Sequence, residues 1–183
     1  DLTDATRWAV KEGIAAPDRM CIYGASYGAY AALMGVAKEP DLYRCAIGYV
    51  GVYDLPTLYF EGDVRRSRQG RLFLADWVGD RATLTGLSPT RLAERIKVPV
   101  FLAAGGRDER APLIHSEMME KALRSANVPV QSLYYENEGH GFFVEAHRRE
   151  FYTRLLAFLE QHIGTVNGRS DSEAVPDREP SGF

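Results

Sequence analysis

The chain has 183 residues, 45% hydrophobic and 26% charged, with a formal net charge of −3, a composition that suits one sizeable globular core. Its mild acidity argues against a nucleic-acid partner. No apolar run approaches the roughly 18 residues a bilayer crossing needs, so no membrane partner is expected.

The opening residues, "DLTDATRWAV", already read as the middle of a helix and carry no signal peptide. The sequence is therefore expected to be a piece of a longer one. The compartment stays open, the cytoplasm being slightly favoured over a periplasmic or secreted location. Ala5, Trp8, Ala9 and Glu12 share helical spacing, with Gly13 as a stop. "RMCIY" follows as a short strand. "SYGAYAALMGVAKEP" then predicts a small-residue helix ended by Pro40, able to lie close to a sheet. "YRCAIGYVGVY" is a second apolar run rich in strand formers.

Residues 54–95 are irregular, aromatic and charged, and read as short helices and loops leaning over one face. Their basic run, "VRRSRQGR", reads as a solvated surface. "VPVFLAA" is apolar throughout, the mark of a strand buried on both faces. "APLIHSEMMEKALRSAN" places Ile114, Met118 and Ala122 four residues apart, with Pro112 in the first turn and Asn127 as a C-terminal cap. "VPVQSLYYE" is a fourth strand. A last helix, "FVEAHRREFYTRLLAFLEQHI", is expected to bury Val144, Phe151, Leu155, Phe158 and Leu159. Alternating strands and helices imply a parallel sheet flanked by helices over residues 1–164, followed by a disordered tail over 165–183. Cys21 and Cys45 both lie in apolar runs and read as buried, reduced thiols. Glu145, His147 and Glu150 read as an exposed helix face rather than metal ligands, and no metal or cofactor is expected.

Ligands of a parallel α/β sheet collect at the carboxyl ends of its strands. Just past the four strands come Ser26, Asp54, Asp108 and His140, in that order. "GASYG" fits a sharp strand-to-helix turn that would project the Ser26 hydroxyl, with Gly24 and Gly28 where a β-carbon would collide. Tyr27 would open the helix, its N–H facing an anion formed at a substrate carbonyl. His140, in the glycine-flanked "NEGHGFF", is the candidate base; His115, His147 and His162 fall inside helices and read as surface or packing residues. Asp54 and Asp108 are the candidate acids; Asp108, in the freely turning "GGRD" after the strand beside that of His140, would give the chain order Ser, Asp, His.

These pieces, with "GIAAPDRMCIYGASYGAYAAL", "SPT", "IKVPVFLAAGGRDERAP", "HSEMMEKAL" and "EGHGFF", resemble the C-terminal catalytic domain of the prolyl oligopeptidase family of serine peptidases, which includes dipeptidyl and acylaminoacyl peptidases. The resemblance covers residues 1 to about 160 and implies the C-terminal portion of an α/β-hydrolase fold. It implies Ser26, Asp108 and His140 as nucleophile, acid and base, an oligopeptide substrate and an acyl-enzyme. It further implies that Arg110 contacts a substrate carbonyl, and that Val52, Leu55, Leu58 and Tyr59 stand near the substrate. Ala29, Ala104 and Ala111 depart from the residues usual in the family, and a smaller Ala111 is expected to enlarge the substrate pocket. The resemblance also implies a missing N-terminal region, with a β-propeller and a tyrosine serving as second oxyanion donor. A carboxylesterase of the same fold, or an inactive truncated fragment, stays an alternative reading, and homo-oligomer formation stays open.

Overall fold

The computed structural model describes residues 1–164, so the tail expected over 165–183 lies outside the described residues. Four parallel strands run in spatial order β1 (Cys21–Ala25), β2 (Cys45–Tyr49), β3 (Val100–Gly105) and β4 (Val130–Tyr135). Sequence order and spatial order coincide. Each crossover therefore joins neighbours, and the carboxyl ends of all four strands share one edge of the sheet.

Period-two alternation assigns the two faces. Ala46, Val100 and Leu102 face a core shared with Ala29, Ala32, Leu33 and Val36 of α2 (Tyr27–Lys38) and with Met119 and Leu123 of α5 (Ile114–Ser125). Cys45, Ile47, Phe101 and Ala103 face the other way, against Phe151 and Phe158 of α6 (Glu145–Ile163). All six residues of β3 are buried, because helices cover both of its faces. The alanines of α2 let it lie against β1 and β2, as their small size suggested.

Between β2 and β3 the chain forms short helical turns, including α3 (Arg68–Phe73), a π-helical turn over Leu74–Val78 and α4 (Arg81–Leu84). Its arginines are solvated or engaged with nearby groups. Arg66 meets Glu109 at 2.9 Å, Arg71 donates to the Arg65 carbonyl, and Arg81 lies over the Phe60 ring.

Three expectations need correction. Of the Ile114, Met118 and Ala122 row of α5, Ala122 packs against the core but Ile114 is exposed, and the fully buried row is His115, Met119 and Leu123, one position on. Val144 caps α6 from outside and is likewise exposed, whereas Phe151 and Phe158 are buried and Leu155 and Leu159 pack beside them. Cys21 and Cys45 are bonded as a disulfide rather than reduced: they occupy directly opposed positions on neighbouring strands, with Cα atoms 4.6 Å apart.

Among the described residues, none pairs with the outer edge of β1. β1 is an edge strand whose Tyr23 is 48% exposed. α1 (Leu2–Lys11) buries none of its residues, and Trp8 stands in solvent. It is tied down by a 2.9 Å Thr6–Tyr43 hydroxyl contact and an Arg7–Glu39 ion pair.

Candidate active site

The chain passes from β1 to α2 through a single residue. Ser26 has φ 56° and ψ −120°, a left-handed backbone that costs a non-glycine residue about 1–3 kcal/mol. The surroundings hold it there. The Ser26 N–H donates to the Tyr49 carbonyl at 2.9 Å, and the Ala29 N–H donates to the Ser26 carbonyl at 3.1 Å. A β-carbon at Gly24 would stand 2.0 Å from the Gly28 carbonyl oxygen, so only glycine lets β1 and α2 meet this closely. The expectation for Gly28 is corrected, because a β-carbon there would meet nothing within 4 Å.

The Ser26 hydroxyl and His140 Nε2 are 3.0 Å apart, and His140 Nδ1 lies 2.8 Å from Asp108 Oδ2. Asp108 follows β3 and is 4% exposed. Its other oxygen accepts the Arg110 and Ala111 N–H groups, each at 2.8 Å. Two backbone donors suit an ionised carboxylate, which in turn draws the imidazole proton to Nδ1 and leaves Nε2 to accept from the serine. Ala111 is buried and does not line the cavity beside Ser26, so its small size does not widen that cavity.

The rival acid is occupied elsewhere. Asp54 is buried, with Oδ1 accepting from the Thr57 N–H and hydroxyl and Oδ2 from the Thr90 hydroxyl. The other histidines are also engaged. His115 is buried with Nδ1 toward the Tyr53 and Asp54 N–H groups, and desolvation pushes its pKa down to about 4 against the nearby Asp54. His147 donates to Glu138 and stacks on Tyr135, and His162 packs on Phe158.

Beside Ser26 lies a cavity of about 470 Å³. Val52, Leu55 and Leu58 line it as expected, and Tyr59 does not: its one hydroxyl proton is shared between the Leu74 and Gly79 carbonyls, which braces the π-helical turn. Sequence reasoning missed the remaining large lining residues, among them Tyr30, Phe73, Trp77 and Leu87. Phe73 and Trp77 four residues apart in a charged, irregular segment was the available signal. Tyr27 also borders the cavity, and as the first residue of α2 its N–H has no intrahelical acceptor. Arg110 closes one side, held by Asp63 through Nε and Nη2 at 2.8–3.0 Å. The Arg110 hydrogen bond keeps the Asp63 carboxyl below the usual carboxylate range in spite of partial burial. A second hollow, about 660 Å³, lies around Pro99, Pro129 and Phe158, and none of the candidate site residues borders it.

Residues 1–166 match the prolyl oligopeptidase family. The chain belongs to it. Dipeptidyl aminopeptidase BIII of Pseudoxanthomonas mexicana is 33% identical over 174 residues, which cover 90% of this chain and 24% of that protein. A puromycin-hydrolyzing peptidase of Mycobacterium tuberculosis superposes with a TM-score of 0.79 at 30% identity, over 87% of this chain and 24% of that one. Pyrococcus horikoshii acylaminoacyl peptidase gives 0.78 at 25% identity, over 91% and 28%. Prolyl oligopeptidase family relatives of this chain are serine peptidases, and the shared architecture is the α/β-hydrolase fold. The chain spans about a quarter of the length of these relatives.

Proposed function

We propose that this chain carries the catalytic groups of a serine peptidase that hydrolyses peptide bonds of oligopeptides and releases residues from their N-termini. The observation that carries the reading is the continuous contact from Asp108 through His140 to Ser26, beside an apolar cavity. In the proposed reaction the Ser26 oxygen attacks the scissile carbonyl carbon while His140 Nε2 takes its proton. Asp108 stabilises the imidazolium so formed. The carbonyl oxygen becomes an anion facing the Tyr27 N–H at the positive end of α2. Collapse breaks the C–N bond, and His140 returns the proton to the leaving amine. Water, deprotonated by His140, then attacks the Ser26 ester and releases the acid.

The apolar wall of Val52, Leu55, Leu58, Phe73 and Trp77 would take the side chain before the cut. Arg110, pre-oriented by Asp63, would meet a substrate carbonyl. Among the described residues β1 has no partner on its outer edge, α1 buries none of its side chains and Tyr27 alone offers an N–H to the anion, which supports a further reading: a further region of a longer protein completes the sheet and supplies a second donor. The 183 residues alone would then be a weak enzyme; a cooperatively folded monomer with full turnover would refute this.

Ser26→Ala in the full-length protein is expected to abolish covalent labelling by a fluorophosphonate and cleavage of an aminoacyl anilide. Labelling that persists in that variant would remove Ser26 from the role.

A further inference from the structure

His140 sits on a loop, and a loop does not fix a ring to within an ångström by itself. What holds it is largely one side chain that the proposed chemistry does not use. Glu138 is buried, two residues before His140. Its Oε2 accepts the Phe143 N–H at 2.8 Å, and its Oε1 accepts the Val144 N–H at 2.9 Å and His147 Nδ1 at 2.7 Å. The same residue's carbonyl accepts the Arg107 N–H at 2.8 Å, on the turn that presents Asp108. Glu138 therefore grips the acid's turn with its main chain and the far end of the histidine loop with its carboxylate. His140 lies between the two grips.

The neighbours fit this arrangement. A β-carbon at Gly105 would stand 2.3 Å from the Glu138 carbonyl oxygen, so the end of β3 is kept bare where Glu138 crosses it. Gly141 has φ +133°, which lets the chain reverse after His140 and bring the 142–144 N–H groups back toward their acceptors. The Phe142 N–H takes the Tyr49 hydroxyl, and His147 is stacked on Tyr135 with ring centres 3.7 Å apart. Burial disfavours ionisation of Glu138, yet the two N–H donors and His147 outweigh it and hold the carboxyl below its ordinary range. A carboxylate with three N–H donors is matched by no neutral side chain of the same size. Glutamine offers one acceptor oxygen and would turn an NH₂ toward a donor.

We infer that Glu138 is a positioning residue for His140, its carboxylate clamping the histidine loop to the start of α6 through the Phe143, Val144 and His147 donors while its carbonyl holds the acid's turn. This rests on the reading of Ser26 and His140 as nucleophile and base. A loosened loop leaves substrate binding intact, since Glu138 does not border the cavity, but it misplaces the base. Misplacement by about 1 Å costs on the order of 100-fold in rate.

The test uses the full-length protein, a fluorophosphonate probe and an aminoacyl anilide. Glu138→Gln is expected to lower kcat and the labelling rate at least about 30-fold while KM stays within about 3-fold. Glu150→Gln, which removes a nearby carboxylate of α6 that is bonded to Tyr135 and Arg154 and not to the 138–144 loop, is expected to stay within about twofold, separating position from charge. A folded Glu138→Gln protein labelled at the wild-type rate overturns the inference. Should that variant not fold, His147→Gln removes one donor only: a slower rate at unchanged KM supports the clamp, and a wild-type rate overturns it. Wild-type protein that takes no label overturns the reading of Ser26 itself, which is a different failure.

Discussion

Gly24→Ala and Gly28→Ala insert the same methyl group on either side of Ser26, and the geometry assigns them opposite outcomes. At Gly24 the new carbon would lie 2.0 Å from the Gly28 oxygen, 2.1 Å from its carbonyl carbon and 2.7 Å from the Ala29 nitrogen. All three are backbone atoms of the first turn of α2, so no side chain can swing aside. Either the end of β1 or the start of α2 must retreat by more than an ångström to restore ordinary contact. That retreat carries Ser26 away from His140 and Tyr27 away from the developing anion. Overpacking of this kind costs about 1–3 kcal/mol in stability, and an ångström of misplacement costs about 100-fold in kcat. At Gly28 the methyl meets nothing within 4 Å and lies in the first turn of a helix. Alanine should there gain about 0.5–1 kcal/mol in folding free energy. Thermal melts and fluorophosphonate labelling rates on the two full-length variants make the comparison. Gly24→Ala protein that melts and labels like wild type would refute the close-approach argument for this turn.

Asp108→Asn is expected to lower kcat about 10⁴-fold with little loss of stability. Its oxygen can still accept the Arg110 and Ala111 N–H groups, while its NH₂ would face His140 Nδ1 and force the wrong tautomer. Asp54→Ala should do the reverse, costing about 1–3 kcal/mol through the abandoned Thr57 and Thr90 donors while kcat of the folded fraction stays within about threefold; a kcat collapse there would transfer the acid's role. With its pKa near 4 in the folded chain, buried His115 binds fewer protons than in the unfolded chain, so its stability contribution is intact above pH 6.5 and fades as pH falls toward 4. The loss amounts to about 3 kcal/mol. Melts of wild type and His115→Gln across this window should converge as the pH drops, and parallel curves would refute the burial argument. Unreduced, denatured protein should show no thiol titre from Cys21 and Cys45, and reduction should cost about 3 kcal/mol for a closure spanning 24 residues.

The elements that sequence reasoning recovered are those whose cause is local. Ser26 sits in a glycine-bracketed turn between an apolar strand and an alanine-rich helix, and Asp108 and His140 each follow a strand in a glycine-containing loop. Every one of those signals spans fewer than ten residues. What escaped depends on partners distant in the chain. Cys21 and Cys45 form a bond because parallel register sets them opposite each other, which composition cannot reveal. α5 is turned by one residue because His115 packs inward toward the Tyr53 and Asp54 N–H groups, some 60 residues away. The pairing of Asp63 with Arg110 crosses 47 residues, and nothing in "EGDV" announces it. Tyr59 illustrates the converse error. Its neighbours face the cavity, but two carbonyls of the π-helical turn capture its hydroxyl.

β2 contributes none of the three proposed catalytic residues, yet its last residue touches the mounts of two of them. The Tyr49 carbonyl receives the Ser26 N–H, and the Tyr49 hydroxyl receives the Phe142 N–H two residues beyond His140. Nucleophile and base are thus surveyed from one benchmark. A displacement of the end of β2 would therefore act on both mounts at once, through one residue's carbonyl and hydroxyl, on either side of the 3.0 Å gap between Ser26 and His140.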